Sequence, residues 1–248
     1  MTNEGLHPIT ARGGDGAGAR AVLDGPGTGR VIARPLERPS TSEALARELR
    51  RQILSGAVRS GTRLREVEIA EMFGVSRQSL RAALAELVHE GLLRRAPHRG
   101  VWVPALTRDE LEDVYYLRGV IEAEAAGRLC REPEHLTVVR EELERFAALD
   151  DDVPWGVAQE AHLAFHRSLV DAVGSPRLSR AYRQLWSEAS LALVASRDHP
   201  TAAWKARADS HRQLMGAIVA GPPDAAARAA RDHLSIGLRT ALAAAVST

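Results

Sequence analysis

Four histidines are placed as metal ligands would be. His162 and His166 lie four residues apart in a helical pattern, so both rings leave one face, about 5–6 Å apart at Cβ. His211 and His233 fall on later helical segments. Neutral imidazoles arriving from three helices can hold a divalent cation. Taken alone, the His-x3-His spacing is weak evidence and better describes two half-exposed polar residues. Arg118 and Glu122 form a second i, i+4 pair. As a surface ion pair it is worth a few tenths of a kcal/mol, and that is the expectation for Glu122. A third constellation is Ser76, Arg77, Gln78, Ser79 and Arg81 at the start of a helical run, followed by His98-Arg99-Gly100. Arg pairs bidentately with guanine and Gln with adenine in the major groove. Serines beside a helix N-terminus suit phosphate.

The elements that must position these residues are legible in the periodicity. Residues 1–38 are glycine-rich without an apolar period and read as a disordered arm. A helix is expected from about Thr41-Ser42-Glu43, with Leu45, Leu49 and Ile53 on one face. A second runs from about Glu66 to Phe73 with Ile69, Met72 and Phe73 inward, and Gly74 turns the chain. Ser76 caps a third helix to about Glu90, whose inner face is Leu80, Leu84, Leu87 and Val88. Leu92–Arg95 and Val101–Val103 then flank a Pro/Gly tip and read as a hairpin. Three helices and a hairpin make a winged helix-turn-helix over residues 39–106, with the third helix in the major groove and the hairpin tip in the minor groove. From Thr107, whose Glu110 completes a capping box, only helices follow: to about 131, 133–149, 157–173, 176–197, 200–220 and 223–246. The fold class is therefore mainly α, with an N-terminal winged helix-turn-helix and a C-terminal all-helical bundle over residues 107–248.

Composition agrees. The chain has 248 residues, 45% hydrophobic but only 4% aromatic, which favours helix over sheet. Its basic residues are nearly all Arg, Lys205 being the sole lysine, and the net charge of +1 conceals a basic front and an acidic back. Such asymmetry points to nucleic acid. No long apolar run predicts a membrane span, and no apolar signal core predicts secretion. One cysteine, Cys130, forms neither an internal disulfide nor a thiolate cage. The expectation is a cytoplasmic protein.

The run Gly74-Val75-Ser76-Arg77-Gln78-Ser79-Leu80-Arg81-Ala82-Ala83-Leu84, with Leu87, Glu90-Gly91-Leu92 and Arg99-Gly100, resembles the DNA-binding domain of GntR-family bacterial transcription regulators. That family usually reads Val-Ser-Arg-Thr-Pro-Val-Arg-Glu-Ala-Leu here. Arg77 and Arg81 match residue for residue, and the resemblance implies DNA contact by both. Gln78-Ser79 and Ala82 depart from the motif and bear on operator preference. Phe165-His166-Arg167-Ser168-Leu169, Gly174-Ser175-Pro176, Ser210-His211 and Asp232-His233-Leu234 resemble the FCD domain of the FadR-like branch. In that branch an Asp and three His bind a metal inside a helical bundle. His166, His211 and His233 match the three His, and His162 stands where the family has Asp. An all-imidazole set leans towards Zn²⁺ or Ni²⁺ over Mn²⁺ or Mg²⁺. The same resemblance places Arg118 in an effector pocket.

The resemblance implies a transcription regulator, not an enzyme. Its expected form is a repressor that binds a palindromic double-stranded operator as a homodimer, with recognition helices ~34–36 Å apart, released by a small carboxylate effector. The rivals are a DNA-binding regulator or architectural protein without ligand control, and a His-ligated metalloenzyme with Glu160 as base. Four histidines with no placed base weigh against the last.

Overall fold

The computed structural model describes residues 40–195, 197 and 203–245, and two short strands before them. Most of the arm expected at residues 1–38 lies outside the described residues. Within it, β1 (Arg20–Val22) and β2 (Val31–Ala33) pair antiparallel, Ala21 opposite Ile32, a ladder that the glycine-rich composition did not signal.

The unit from Thr41 onward begins with the expected head. Helix α1 (Thr41–Leu54) buries Leu45, Ala46, Leu49 and Ile53. Helix α2 (Glu66–Phe73) ends at Gly74, whose φ of +61° caps it in the left-handed region that glycine enters freely. Helix α3 (Arg77–His89) starts where Ser76 Oγ accepts the Ser79 backbone N–H, and buries Leu80, Ala83, Leu84 and Leu87 against α1. Val88, like Ile69 and Phe73, is partly buried and packs against this core. One expected core residue is corrected. Met72 is 77% exposed, because the buried face of α2 is set by Ile69, Ala70 and Phe73, and Met72 lies ~100° round the helix from its centre.

The hairpin forms from β4 (Arg94–Ala96) and β5 (Gly100–Trp102), with Arg95 opposite Val101. A third strand, β3 (Arg63–Leu64), pairs with the far edge of β5, giving the order β3-β5-β4. Two residues are too few to show a period, so this strand had no sequence signal.

The back of the chain is helical throughout its described length, in α4 (Arg108–Leu129), α5 (Thr137–Ala147), α6 (Trp155–Asp171), α7 (Pro176–Ala195), α8 (Trp204–Ala220) and α9 (Pro223–Ala245). The capping box at Thr107 and Glu110 is present. The helix expected over 133–149 is instead a 3-10 turn, Pro133–Leu136, followed by α5. Residues 200–202, expected to open α8, lie outside the described residues. Helix α4 runs against α9, with α6, α7 and α8 packed around them. Their core gathers Phe165, Leu169, Leu214 and Ile218 among many alanines.

Candidate functional sites: a basic helix-wing face and a buried histidine cluster

On the head, Ser76, Arg77, Gln78 and Arg81 are exposed, and Ser79 half-buried, along the first turns of α3. His98, Arg99 and Gly100 are exposed at the hairpin tip. His98 and Gly100 turn it with φ of +61° and +76°. The expected DNA-contacting residues thus occupy one helix start and one hairpin tip. Some have partners that the sequence did not reveal. Ser76 and Ser79 are bonded to each other, so both serve the helix cap. Arg99 lies over the Trp102 ring, 5.0 Å from its centroid. Arg81 Nε donates to Glu66 Oε2 at 2.9 Å, and Arg95 Nη2 is 3.8 Å from Glu66 Oε1. Glu66 on α2 therefore ties α3 to the hairpin, a role with no local sequence signature.

The second site lies inside the helical bundle. Helix α6 presents His162 and His166, α8 presents His211, and the ligand-capable ring nitrogens of these three lie within 4.8 Å of one another. His233 of α9 stands just outside that set. Its ring centroid is 4.3 Å from that of His211 and 5.3 Å from that of His166, and its Nδ1 bonds Ser210 Oγ at 3.0 Å. Phe146, Phe165 and Trp204 wall the cluster. Burial therefore pushes all four imidazoles below the ordinary histidine pKa, His233 to about 3, and they stand neutral at pH 7.

Hydrogen bonds fix which nitrogen carries the proton. His166 Nδ1 lies 2.7 Å from Glu122 Oε2. Burial raises the Glu122 pKa, but the Arg118 guanidinium and His166 outweigh it and hold the carboxyl down to about 2. An ionised carboxylate only accepts, so Nδ1–H of His166 donates. His211 Nδ1–H likewise donates to the Arg207 carbonyl at 2.6 Å. In both neutral rings the proton is thereby on Nδ1, and the two Nε2 atoms carry lone pairs. They face each other at 3.0 Å. Two lone pairs at that distance call for a shared cation. Nearby, the buried His162 Nδ1 has no hydrogen-bond partner. Imidazoles whose far N–H is anchored on a carboxylate or a carbonyl are the usual form of metal-ligating histidine. The residues therefore fit a divalent ion held by His162, His166 and His211, with His233 adjacent.

Glu122 and Arg118 overturn the surface-pair expectation. Arg118 is 2% exposed and Glu122 not at all. Glu122 accepts from Arg118 Nε at 2.9 Å, from Tyr182 OH at 2.6 Å and from His166. Tyr182 was missed altogether. Arg118 Nη2 is buried without a partner, and Arg118 lines a cavity of about 130 Å³. The four histidines, Tyr115 and Leu193 also line that cavity. Gly237 lines it too, and a Cβ there would come within 3.0 Å of Tyr115 Cε1. Glu160 is exposed, so the candidate base of a metalloenzyme stands in solvent, not in the cluster.

Comparison with known proteins follows the same division. Residues 41–103 match the family model described as bacterial regulatory proteins, gntR family, and residues 113–235 match the FCD domain. The chain is 33% identical to a protein of Paenarthrobacter nicotinovorans named as a probable D-xylose utilization operon transcriptional repressor, over 74% of this chain and 81% of that one. It is 30% identical to the transcriptional regulator Mce2R of Mycobacterium tuberculosis, over 79% and 89% of the two chains. A crystal structure assigned to a GntR regulator of Rhodococcus sp. RHA1 superposes with a TM-score of 0.63 at 25% identity, over 83% of this chain and 99% of that one. E. coli McbR/YncC shares the fold, with a TM-score of 0.65 at 21% identity over 85% and 99% of the two chains.

Proposed function

From the premise that this chain belongs to the GntR family of bacterial transcription regulators and carries its FCD domain, we propose that it is a repressor controlled by a small carboxylate bound with a divalent metal ion. The family and the relatives are transcriptional regulators rather than enzymes. The observation that carries the ligand reading is the pair of lone-pair-bearing Nε2 atoms on His166 and His211, beside two buried unpartnered nitrogens, His162 Nδ1 and Arg118 Nη2. Each of those nitrogens costs about 1–3 kcal/mol while unsatisfied. An incoming ion and anion would relieve both costs.

In this reading His162, His166 and His211 hold the ion, and Zn²⁺ or Ni²⁺ suits an all-imidazole set. The ion supplies positive charge for a carboxylate. Glu122 fixes the His166 ring and locks Arg118 Nε, which leaves Arg118 Nη2 to donate to that carboxylate. The cavity of about 130 Å³ is of a size for a small organic acid. Two subunits would set their α3 helices in successive major grooves, with Arg77, Gln78 and Arg81 at base edges and the Arg99 tip in the minor groove. The test is fluorescence anisotropy on a duplex selected by the protein from a random-sequence pool, with Zn²⁺-loaded protein and a panel of small carboxylates. One member should weaken binding at least tenfold. Affinity unmoved by every member, with and without Zn²⁺, contradicts ligand control.

A further inference from the structure

Three consecutive residues of α7 face three different places. Leu191 is buried in the core of the DNA-binding head, in one cluster with Leu45, Leu49, Leu84 and Leu93. Ala192 is buried with Leu111, Tyr115, Leu234 and Ala241 on α4 and α9. Leu193, also buried, lines the histidine cavity. Successive residues of a helix point about 100° apart, so one turn of α7 serves as a shared wall of the head core, the bundle core and the cavity.

Other ties run from the same helix. Toward its start, Tyr182 donates to Glu122, which holds His166. One turn before Leu191, Glu188 lies against Gly91 behind the recognition helix, where a Cβ would stand 3.4 Å from its Oε1. Just past the end of α7, Arg197 Nη1 donates to the Ser55 carbonyl at the end of α1, at 2.7 Å. Gln159 of α6 donates to the Ser190 carbonyl at 2.9 Å in a buried position, which fixes the backbone beside Leu191.

We propose that α7 is the element that transmits occupancy of the cavity to the head: an occupant displaces Leu193, and the helix carries that displacement through Leu191 into the core that positions α3. The inference rests on the reading of the cavity as the effector site. Close-packed interiors pass a small shift onward instead of absorbing it, and helix shifts of ~1–2 Å are a known means of switching. Leu193 and Leu191 are positioning residues here, since neither touches DNA.

A double-mutant cycle on the full chain tests this without any ligand. Leu193→Phe pushes into the cavity from the α7 side and stands in for an occupant, and Leu193→Ala, which withdraws from it, serves if the larger side chain prevents folding. Affinity is read by anisotropy on the selected duplex. The Leu193 substitution should change affinity at least fivefold in the wild-type background and less than twofold in the Leu191→Ala background. The same fold-change in both backgrounds, or no change in the wild-type background, overturns the proposal. Calorimetry with Zn²⁺ alone reports separately on the effector reading: absence of Zn²⁺ binding overturns the metal-assisted site, while the cycle, which contains no Zn²⁺, still decides the role of α7.

Discussion

Replacing Glu122 with glutamine keeps its shape and its acceptor for Tyr182 while removing the charge that compensates Arg118. Arg118 is 2% exposed, so its guanidinium would be left buried and unpaired. Breaking a buried pair on one side costs about 3–5 kcal/mol. Burial raises the Glu122 carboxyl, yet Arg118 and His166 outweigh it and hold the carboxyl below its ordinary value. A folded-state pKa below the unfolded one gives stability that is full above the unfolded value and lost as pH falls through the folded one. The deficit of Glu122→Gln should therefore be constant from neutral pH down to about pH 5 and shrink as the pH falls below 4.5. The assay is equilibrium urea unfolding followed by tryptophan fluorescence, since Trp155, Trp186 and Trp204 all lie in the helical domain. Adding Arg118→Met, which removes the stranded charge, should recover much of the loss. A Glu122→Gln deficit below about 0.5 kcal/mol, the size of an exposed i, i+4 pair, would refute the buried network.

Two further outcomes follow from the geometry. Arg77→Ala and Arg81→Ala should each weaken binding to the selected duplex by ~1–3 kcal/mol, read by anisotropy at fixed salt; unchanged affinity in both removes α3 as the reading helix. Gly237→Ala places a Cβ 3.0 Å from Tyr115 Cε1. It should diminish the thermal shift produced by a bound carboxylate while leaving Zn²⁺ content unchanged, and an undiminished shift would show that the cavity is not the ligand's seat.

The head was legible because its signals are local. Ser76 caps α3 and Leu80, Leu84 and Leu87 repeat at helical spacing, and both features read directly from the chain. Strand β3 was not, because Arg63–Leu64 becomes a strand only by pairing with β5. Met72 was misplaced because a helix of eight residues leaves the centre of its apolar face poorly determined, and Ala70 settles it. In the histidine cluster, the i, i+4 spacing of His162 and His166 was visible, but their burial was not. The same spacing of Arg118 and Glu122 suits a surface pair equally well. Their burial is decided by α9 packing along α4 and by Tyr182 arriving from α7, contacts between residues 60 apart in the case of Tyr182 and Glu122. No local pattern encodes such a meeting. His233, grouped with the other three from its place in the sequence, stands just outside the set of three whose ring nitrogens lie within 4.8 Å of one another.

The most direct test of the central claim is the metal content of the protein. Wild-type chain, equilibrated with Zn²⁺ and passed through gel filtration, should retain about one ion per chain by elemental mass spectrometry, consistent with a site of three histidine ligands. The His166→Ala/His211→Ala double variant, checked for native helix content by circular dichroism, should retain none. Full retention by the folded double variant, or no retention by the wild type, would contradict a metal centre at the facing imidazoles.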